Sequence, residues 1–153
     1  RLRVPDAQVL DLFAGSGALA LESLGRGAEA AVMADQSPEA IACIRRNLEQ
    51  LGYQDRAAVI RGDWLTALRQ LQGDGRKFTL VFLDPPYRIT QTGEQCAKMA
   101  ELGLLAEEAL IVIEHRRSVD PAVGEGFALC DSRRYGDTVV DFYEYGGGEA
   151  AHA

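Results

Sequence analysis

The junction between Gln8-Val9-Leu10-Asp11-Leu12-Phe13 and Ala14-Gly15-Ser16-Gly17-Ala18-Leu19-Ala20 limits the fold more than any other stretch of this chain. Its first half is an apolar run of strand length. Its second half opens on two glycines and continues as a helical pattern from Ala18 to Leu24. Glycine lets the backbone turn sharply and come close to a ligand, and the amides at the start of the helix then point back at the loop. The arrangement fits the G-x-G-x-x-G/A pattern that follows the first strand of a Rossmann-like sheet, which commits the chain to βαβ connections and parallel strands.

The same alternation continues. Ala30 to Ala34 reads as a second strand ending at Asp35, eighteen residues after Gly17. At that offset a carboxylate can accept two hydrogen bonds from a ribose diol. Ser37-Pro38-Glu39 then starts a helix with a Ser cap, Pro in the first position and an acid in the first turn. Ile41, Ile44, Leu48 and Leu51 recur at helical spacing and are expected to face the sheet, with Gly52 closing the helix. Ala57 to Ile60 is a third strand, followed by Arg61-Gly62-Asp63-Trp64 and a helix from Leu65 to Leu71. Asp63 caps that helix or accepts from an adenine amino group, two compatible roles, and Trp64 either covers a ring or belongs to the core.

The run Phe78 to Leu83 is a fully apolar fourth strand that ends in Asp84-Pro85-Pro86-Tyr87. Two prolines fix φ and remove two donors, leaving a stiff turn that sets a carboxylate and backbone carbonyls beside an aromatic ring. Such a corner suits a flat molecule that carries an amino group. Beyond it, Gln95 to Leu105 is expected to be a helix with Ala97, Ala100 and Leu104 on one side, and Ala109 to Glu114 a buried fifth strand. Phe127 to Tyr135 and Thr138 to Tyr145 form a hairpin around Gly136-Asp137. The expected architecture is α/β: a Rossmann-like, mostly parallel sheet with helices on both faces and an antiparallel C-terminal hairpin. One domain is expected over residues 1–153, with a disordered tail at 146–153.

Composition narrows the function classes. No apolar run approaches the roughly 20 residues that cross a bilayer, and no leader pattern opens the sequence, so a cytoplasmic protein without a membrane partner is expected. Cys43, Cys96 and Cys130 lack CxxC spacing; they read as core thiols and not as metal ligands. The net charge of -7 argues against a wholly basic nucleic-acid surface. Any phosphate contact must then be local, with Arg88, Arg116, Arg117, Arg133 and Arg134 as candidates. His115 at the end of the fifth strand reads as structural rather than as a base.

Four features fall on one edge of this sheet: the glycine loop, Asp35, Asp63-Trp64 and Asp84-Pro85-Pro86-Tyr87. Together they resemble the S-adenosylmethionine-dependent methyltransferases of planar amines, in which Asp/Asn-Pro-Pro-Tyr/Phe marks the amine site. The wider runs Val9 to Leu19, Phe82 to Tyr87 and Ala109 to Glu114 look most like the RsmD-type 16S ribosomal RNA guanine-N2 methyltransferases. The resemblance covers about Val9 to Tyr145. It implies a class I methyltransferase fold and S-adenosylmethionine as cofactor, with ribosomal RNA or a ribosomal subunit precursor as partner and no metal. It further implies that Asp11, Phe13 and the Ala14 to Gly17 loop (Ala14, Gly15, Gly17) flank the methionine part of the cofactor. Asp35 would take the ribose, and Asp63 and Trp64 would border the adenine. Asp84 and the Pro85 carbonyl would receive the target amine, and Tyr87 would stack on its base. Members of that family carry a segment before the first strand, which this sequence reads as lacking.

Three other readings fit parts of the pattern. The same tetrapeptide serves DNA adenine-N6 enzymes. The glycine loop with Asp35 suits an NAD-dependent oxidoreductase, which leaves residues 84–87 without a role. The acidic charge suits a non-catalytic cofactor-binding subunit that needs a partner to hold RNA.

Overall fold

The computed structural model describes residues 3–84 and 91–147. Strands and helices alternate as β1 (Gln8–Asp11), α1 (Ala18–Gly25), β2 (Ala30–Asp35), α2 (Pro38–Leu51), β3 (Ala57–Arg61), α3 (Trp64–Leu71), β4 (Phe78–Leu83), α4 (Thr92–Glu101) and β5 (Leu105–Arg116), and the hairpin β6 (Phe127–Tyr135) and β7 (Thr138–Tyr145) follows. The strands form one sheet in the order β3-β2-β1-β4-β5-β7-β6. β1 to β5 are parallel, and β7 runs antiparallel to both β5 and β6. The chain steps outward from β1 to β2 and β3, then returns to lay β4 on the other side of β1. A ligand crevice opens at such a reversal, beyond the carboxyl ends of the strands.

β6 at the edge is largely exposed, whereas both faces of the central strands are buried. On one, Leu10, Leu12, Val81, Leu83, Ile111 and Ile113 pack against α3 and α4 through Leu68, Leu71, Cys96 and Met99. On the other, Val9, Met33, Leu80, Phe82 and Leu110 pack against α1 and α2 through Leu21, Leu24, Ile44 and Leu48. Neighbouring residues of a strand point to opposite faces, so one strand serves both cores. At the start of α2 the Ser37 hydroxyl accepts from the Ala40 N–H at 3.2 Å, Pro38 occupies the first turn, and Gly52 ends the helix in the left-handed region at φ 75°.

Several elements depart from the sequence reading. Leu51 is 53% exposed, because the turn at Gly52 brings Tyr53 onto the core in its place. α4 begins at Thr92, not Gln95, and presents Thr92, Gln95, Cys96 and Met99 inward, leaving Ala97 on the exposed side. Polar Thr and Gln on the inner face hid the true stripe from a count of apolar residues. β5 starts four residues early, at Leu105. It passes through the exposed pair Glu107 and Glu108, where Glu108 adopts φ 66° and the pairing with β4 shifts register. Of the three cysteines only Cys96 is fully buried. Cys43 is partly covered, and Cys130 is exposed, with its S–H donating to the Phe142 carbonyl at 3.2 Å. Cys130 lies where β6 slips register against β7, so the extra residue of that bulge turns outward.

Among the described residues no helix is long and apolar enough to cross a membrane, and no group of three or more His, Cys, Asp or Glu could hold a metal ion. The expected tail falls mostly outside the described residues.

Candidate active site

Residue parity decides which side chains meet at the carboxyl edge. Asp11 follows Val9 by two residues and shares its face; Asp35 likewise follows Met33, Asp84 follows Phe82, and Glu114 follows Leu110 and Val112. In the sheet Asp11 lies opposite Met33 and Phe82, and Leu83 lies opposite Ile113. Four carboxylates from four adjacent strands therefore line the mouth of the reversal on the α1 and α2 side.

Their environments differ. Asp11 is only 3% exposed, and its Oδ1 accepts from the Phe13 N–H at 3.2 Å. Burial pushes its pKa up to about 7, and the charges of Asp84 and Asp35 add to the rise against the lowering effect of that hydrogen bond. Asp84 stands just past the last residue of β4. Partial burial, and then the Glu114 carboxylate beside it, raise its pKa above the ordinary carboxylate range. Asp35 is tied at both oxygens: Oδ2 accepts from the Gly15 N–H and Oδ1 from the Ser37 N–H, each at 2.9 Å. The acid at the end of β2 thus fixes the glycine loop, and each oxygen keeps capacity to accept a second hydrogen bond.

The loop itself is constrained. Gly15 and Gly17 adopt φ 59° and 84°, and Gly17 closes a tight turn by donating to the Ala14 carbonyl at 2.7 Å. A Cβ on Gly17 would sit 3.1 Å from the Met33 sulfur and 3.3 Å from Ile44 Cγ1, whereas one on Gly15 would meet nothing within 4 Å. The two glycines therefore serve different ends: Gly17 lets α1 close onto β2 and α2, and Gly15 leaves open space at the mouth. Gly17→Ala is expected to cost about 1–3 kcal/mol from forbidden backbone and overpacking together, measurable as a lower denaturant midpoint. Gly15→Ala should cost less, because strain alone opposes it. No side chain caps α1, so its first amides are available to an acceptor from outside.

The remaining site residues fall as follows. Phe13 is partly buried against the α3 and α4 core, and Ala14 is buried on the opposite side. Asp63 is exposed and caps α3, accepting from the Thr66 N–H at 2.7 Å, which lowers its pKa. Trp64 is the first residue of that helix, not the one before it, and packs against the core with part of its surface open. Arg116 ends β5, and Arg117 follows with its N–H on the Asp137 carbonyl at 2.9 Å. Pro85, Tyr87 and Arg88 lie outside the described residues.

His115 takes part in a separate cluster on the other face. Its Nε2 is 2.7 Å from Asp141 Oδ2, and the Ser132 hydroxyl donates to Asp141 Oδ1 at 2.6 Å. The carboxylate, not the imidazole, is the central member, so Ser132 has no base to activate it. The cluster joins β5, β6 and β7. Asp141→Ala would take the shared acceptor from the half-buried His115 and the exposed Ser132, with an expected loss of about 1–2 kcal/mol, read as a fall in Tm. Sequence reasoning missed Asp141, and it assigned no role to Glu114. Strand parity was the available signal for Glu114, but Asp141 needed the β5–β7 pairing.

The strand order with a reversed seventh strand, the glycine turn after β1 and the acid at the end of β2 define a Rossmann-like domain of the class I methyltransferase type. The chain belongs to the RsmD-type family: the family model described as "Conserved hypothetical protein 95" matches residues 1–144. YlbH of Bacillus subtilis, by its name a candidate rRNA methyltransferase, is 35% identical over 136 residues, 88% of this chain and 74% of its own length. Ribosomal RNA small subunit methyltransferase D of Escherichia coli K12 is 37% identical over 111 residues, 72% of this chain. The chain spans about half of that relative's length, 54%. A solved structure described as the Escherichia coli candidate methyltransferase yhhF superposes with a TM-score of 0.85 at 32% identity, covering 94% of this chain and 80% of that one.

Proposed function

We propose that this protein transfers the methyl group of S-adenosylmethionine to the exocyclic N2 amine of a guanine in small-subunit ribosomal RNA. The observation that carries the reading is the row of carboxylates at the sheet reversal, with Asp84 at the end of β4 beside Asp11 and Glu114. The names of the family's relatives support rRNA as the substrate class.

The residues present fit the cofactor. S-adenosylmethionine offers an ammonium, a ribose diol and an adenine amino group as donors, and its sulfur is positively charged; an acid-lined mouth meets all of these. Its one carboxylate suits the uncapped amides of α1. Asp11 and the 14–17 loop would flank the methionine part, Asp35 the diol through its remaining lone pairs, and Asp63 the adenine amine with Trp64 beside the ring.

When bound, the cofactor supplies an electrophilic methyl group. A guanine amine is a poor nucleophile because its lone pair is delocalised into the ring. Asp84 accepts one amine hydrogen and the Pro85 carbonyl would accept the other, which favours a pyramidal nitrogen with its lone pair directed at the methyl carbon. The nitrogen would take the methyl group as the sulfonium leaves as a neutral thioether, and would then shed one proton. Asp84, whose proton affinity is already raised, is placed to receive it. Tyr87 would replace the stacking that a flipped-out base loses.

The test is incubation of the protein with methyl-labelled S-adenosylmethionine and 16S ribosomal RNA, free and in small-subunit particles, followed by nucleoside mass spectrometry. N2-methylguanosine is the expected product. N6-methyladenosine, or no product with bound cofactor, would overturn the reading.

A further inference from the structure

A polyanion cannot dock on the carboxylate row itself, and the chain as a whole carries a net charge of -7. Cationic groups close to that row must therefore hold the phosphates. The pairing of β5, β7 and β6 sets such groups together at the same edge. Arg116 lies opposite Thr138, and Thr138 lies opposite Tyr135. Cross-strand partners share a face, so Arg116 and Tyr135 stand on the face that carries Glu114 and Asp84, one row further out. By strand spacing alone Arg116 is roughly 8 Å from Asp84 between Cα positions, and Tyr135 roughly 16 Å.

Three properties mark this tip as more than a solvated hairpin end. Tyr135 is 61% exposed, beside an arginine, with no core to pack on. Arg116, Arg117 and Arg134 are all exposed, and none forms an ion pair among the described residues. Arg133 differs: it pairs with Asp131 at 3.2 Å and lies over the Phe142 ring, so it belongs to the sheet. The only acid within the turn is Asp137, whose backbone carbonyl holds Arg117 in place. Exposed guanidinium groups next to an exposed aromatic ring match the two demands of a flexible nucleic-acid strand, charge for the phosphates and a face for a base.

We propose that Arg116, Arg134 and Tyr135 form a docking surface for the single-stranded RNA that flanks the target base, holding it a few nucleotides from Asp84. This rests on the rRNA reading above and adds where the strand runs: outward across β5 and β7 to the β6–β7 turn. Arg116 and Arg134 take phosphates from the two sides of the tip, and Tyr135 stacks on an unpaired base.

The experiment compares the 153-residue protein with Arg116→Glu/Arg134→Glu and with Tyr135→Ala. RNA binding to transcribed 16S ribosomal RNA and to small-subunit particles is titrated between roughly 50 and 200 mM salt. S-adenosylmethionine affinity and Tm are measured alongside. The double charge reversal is expected to weaken RNA binding about tenfold or more and to flatten the log–log salt slope by about 1 to 2. Tyr135→Ala should weaken binding several-fold without changing the slope. Cofactor affinity and Tm should stay as in the unchanged protein. Folded variants that keep full RNA affinity and slope, or an unchanged protein that binds neither RNA nor particles, would overturn the surface. RNA binding that depends on these residues without methyl transfer to any base would instead overturn the proposed activity and leave the surface standing.

Discussion

Asp84→Ala is expected to reduce methyl transfer by about a thousandfold or more, the scale of losing a positioned electrostatic partner in a reaction driven by alignment. Affinity for S-adenosylmethionine should change less than a few-fold, because Asp84 lies toward the amine and not among the groups assigned to the cofactor. Asp84→Asn offers a gradation: its amide oxygen keeps one acceptor for the amine but cannot take up the released proton. It should fall between the two, with the loss in kcat rather than in RNA affinity. Single-turnover rates and calorimetry with the cofactor check both. Equal loss of cofactor binding and rate in the Ala variant would make the residue a structural support of the loop.

Asp11 governs the second large effect, and its sign is opposite to that of most carboxylates. Its folded pKa of about 7 lies above the ordinary value of 3.8, so the native state holds a proton that the unfolded chain releases. Stability therefore declines as pH rises from about 4 to 7 and stays low above it, by at most about 4 kcal/mol. Asp11→Asn removes that penalty. It should match the parent near pH 4 and exceed it above pH 7, with Tm higher by roughly 5 °C or more at pH 8.

Cofactor binding should show the counterpart. A cationic ligand favours the ionised Asp11, so affinity climbs with pH up to about 7, by no more than tenfold per unit, and then levels. Asp35 faces the same mouth and shares in the attraction. The Asn variant should bind about ten- to a hundredfold more weakly at pH 8 with a flattened profile. A variant profile that still follows the parent's would mean that Asp11 is not the group behind the pH dependence.

Much of this site is legible in the amino-acid sequence, because each part lies at a point where a simple pattern ends. The glycine loop, Asp35 and Asp84 each close an apolar run, and a run that long and that apolar fits only a strand covered on both faces. The Ser37 cap and the Gly52 stop were equally plain. The less legible parts depended on pairing between distant strands. Nothing near Asp141 in sequence announces His115 or Ser132. The rise in Asp11 needs the burial of its strand end as well as the neighbouring charges, neither of which its own sequence neighbours reveal. α4 was misplaced because its inner face uses Thr92 and Gln95, and β5 was cut short because Glu107 and Glu108 interrupt its apolar run. The Pro85 and Tyr87 assignments come from the chemistry of the Pro-Pro turn and its aromatic neighbour together with the family resemblance.

The placement of β7 has a consequence for how the molecule is made. β7 comes after β6 in the chain yet lies inside it, between β5 and β6. As the polypeptide emerges from the ribosome, β6 therefore has no strand to join until residues 138–145 have followed it. Until then the outer side of β5 presents an open row of backbone donors and acceptors, a ready template for another chain. The same late step brings Asp141 to His115 and sets Tyr135 in line with Arg116 across Thr138. Completion of the sheet and assembly of the β6–β7 tip are thus one event in biosynthesis, and a nascent chain stopped short of residue 138 would have neither.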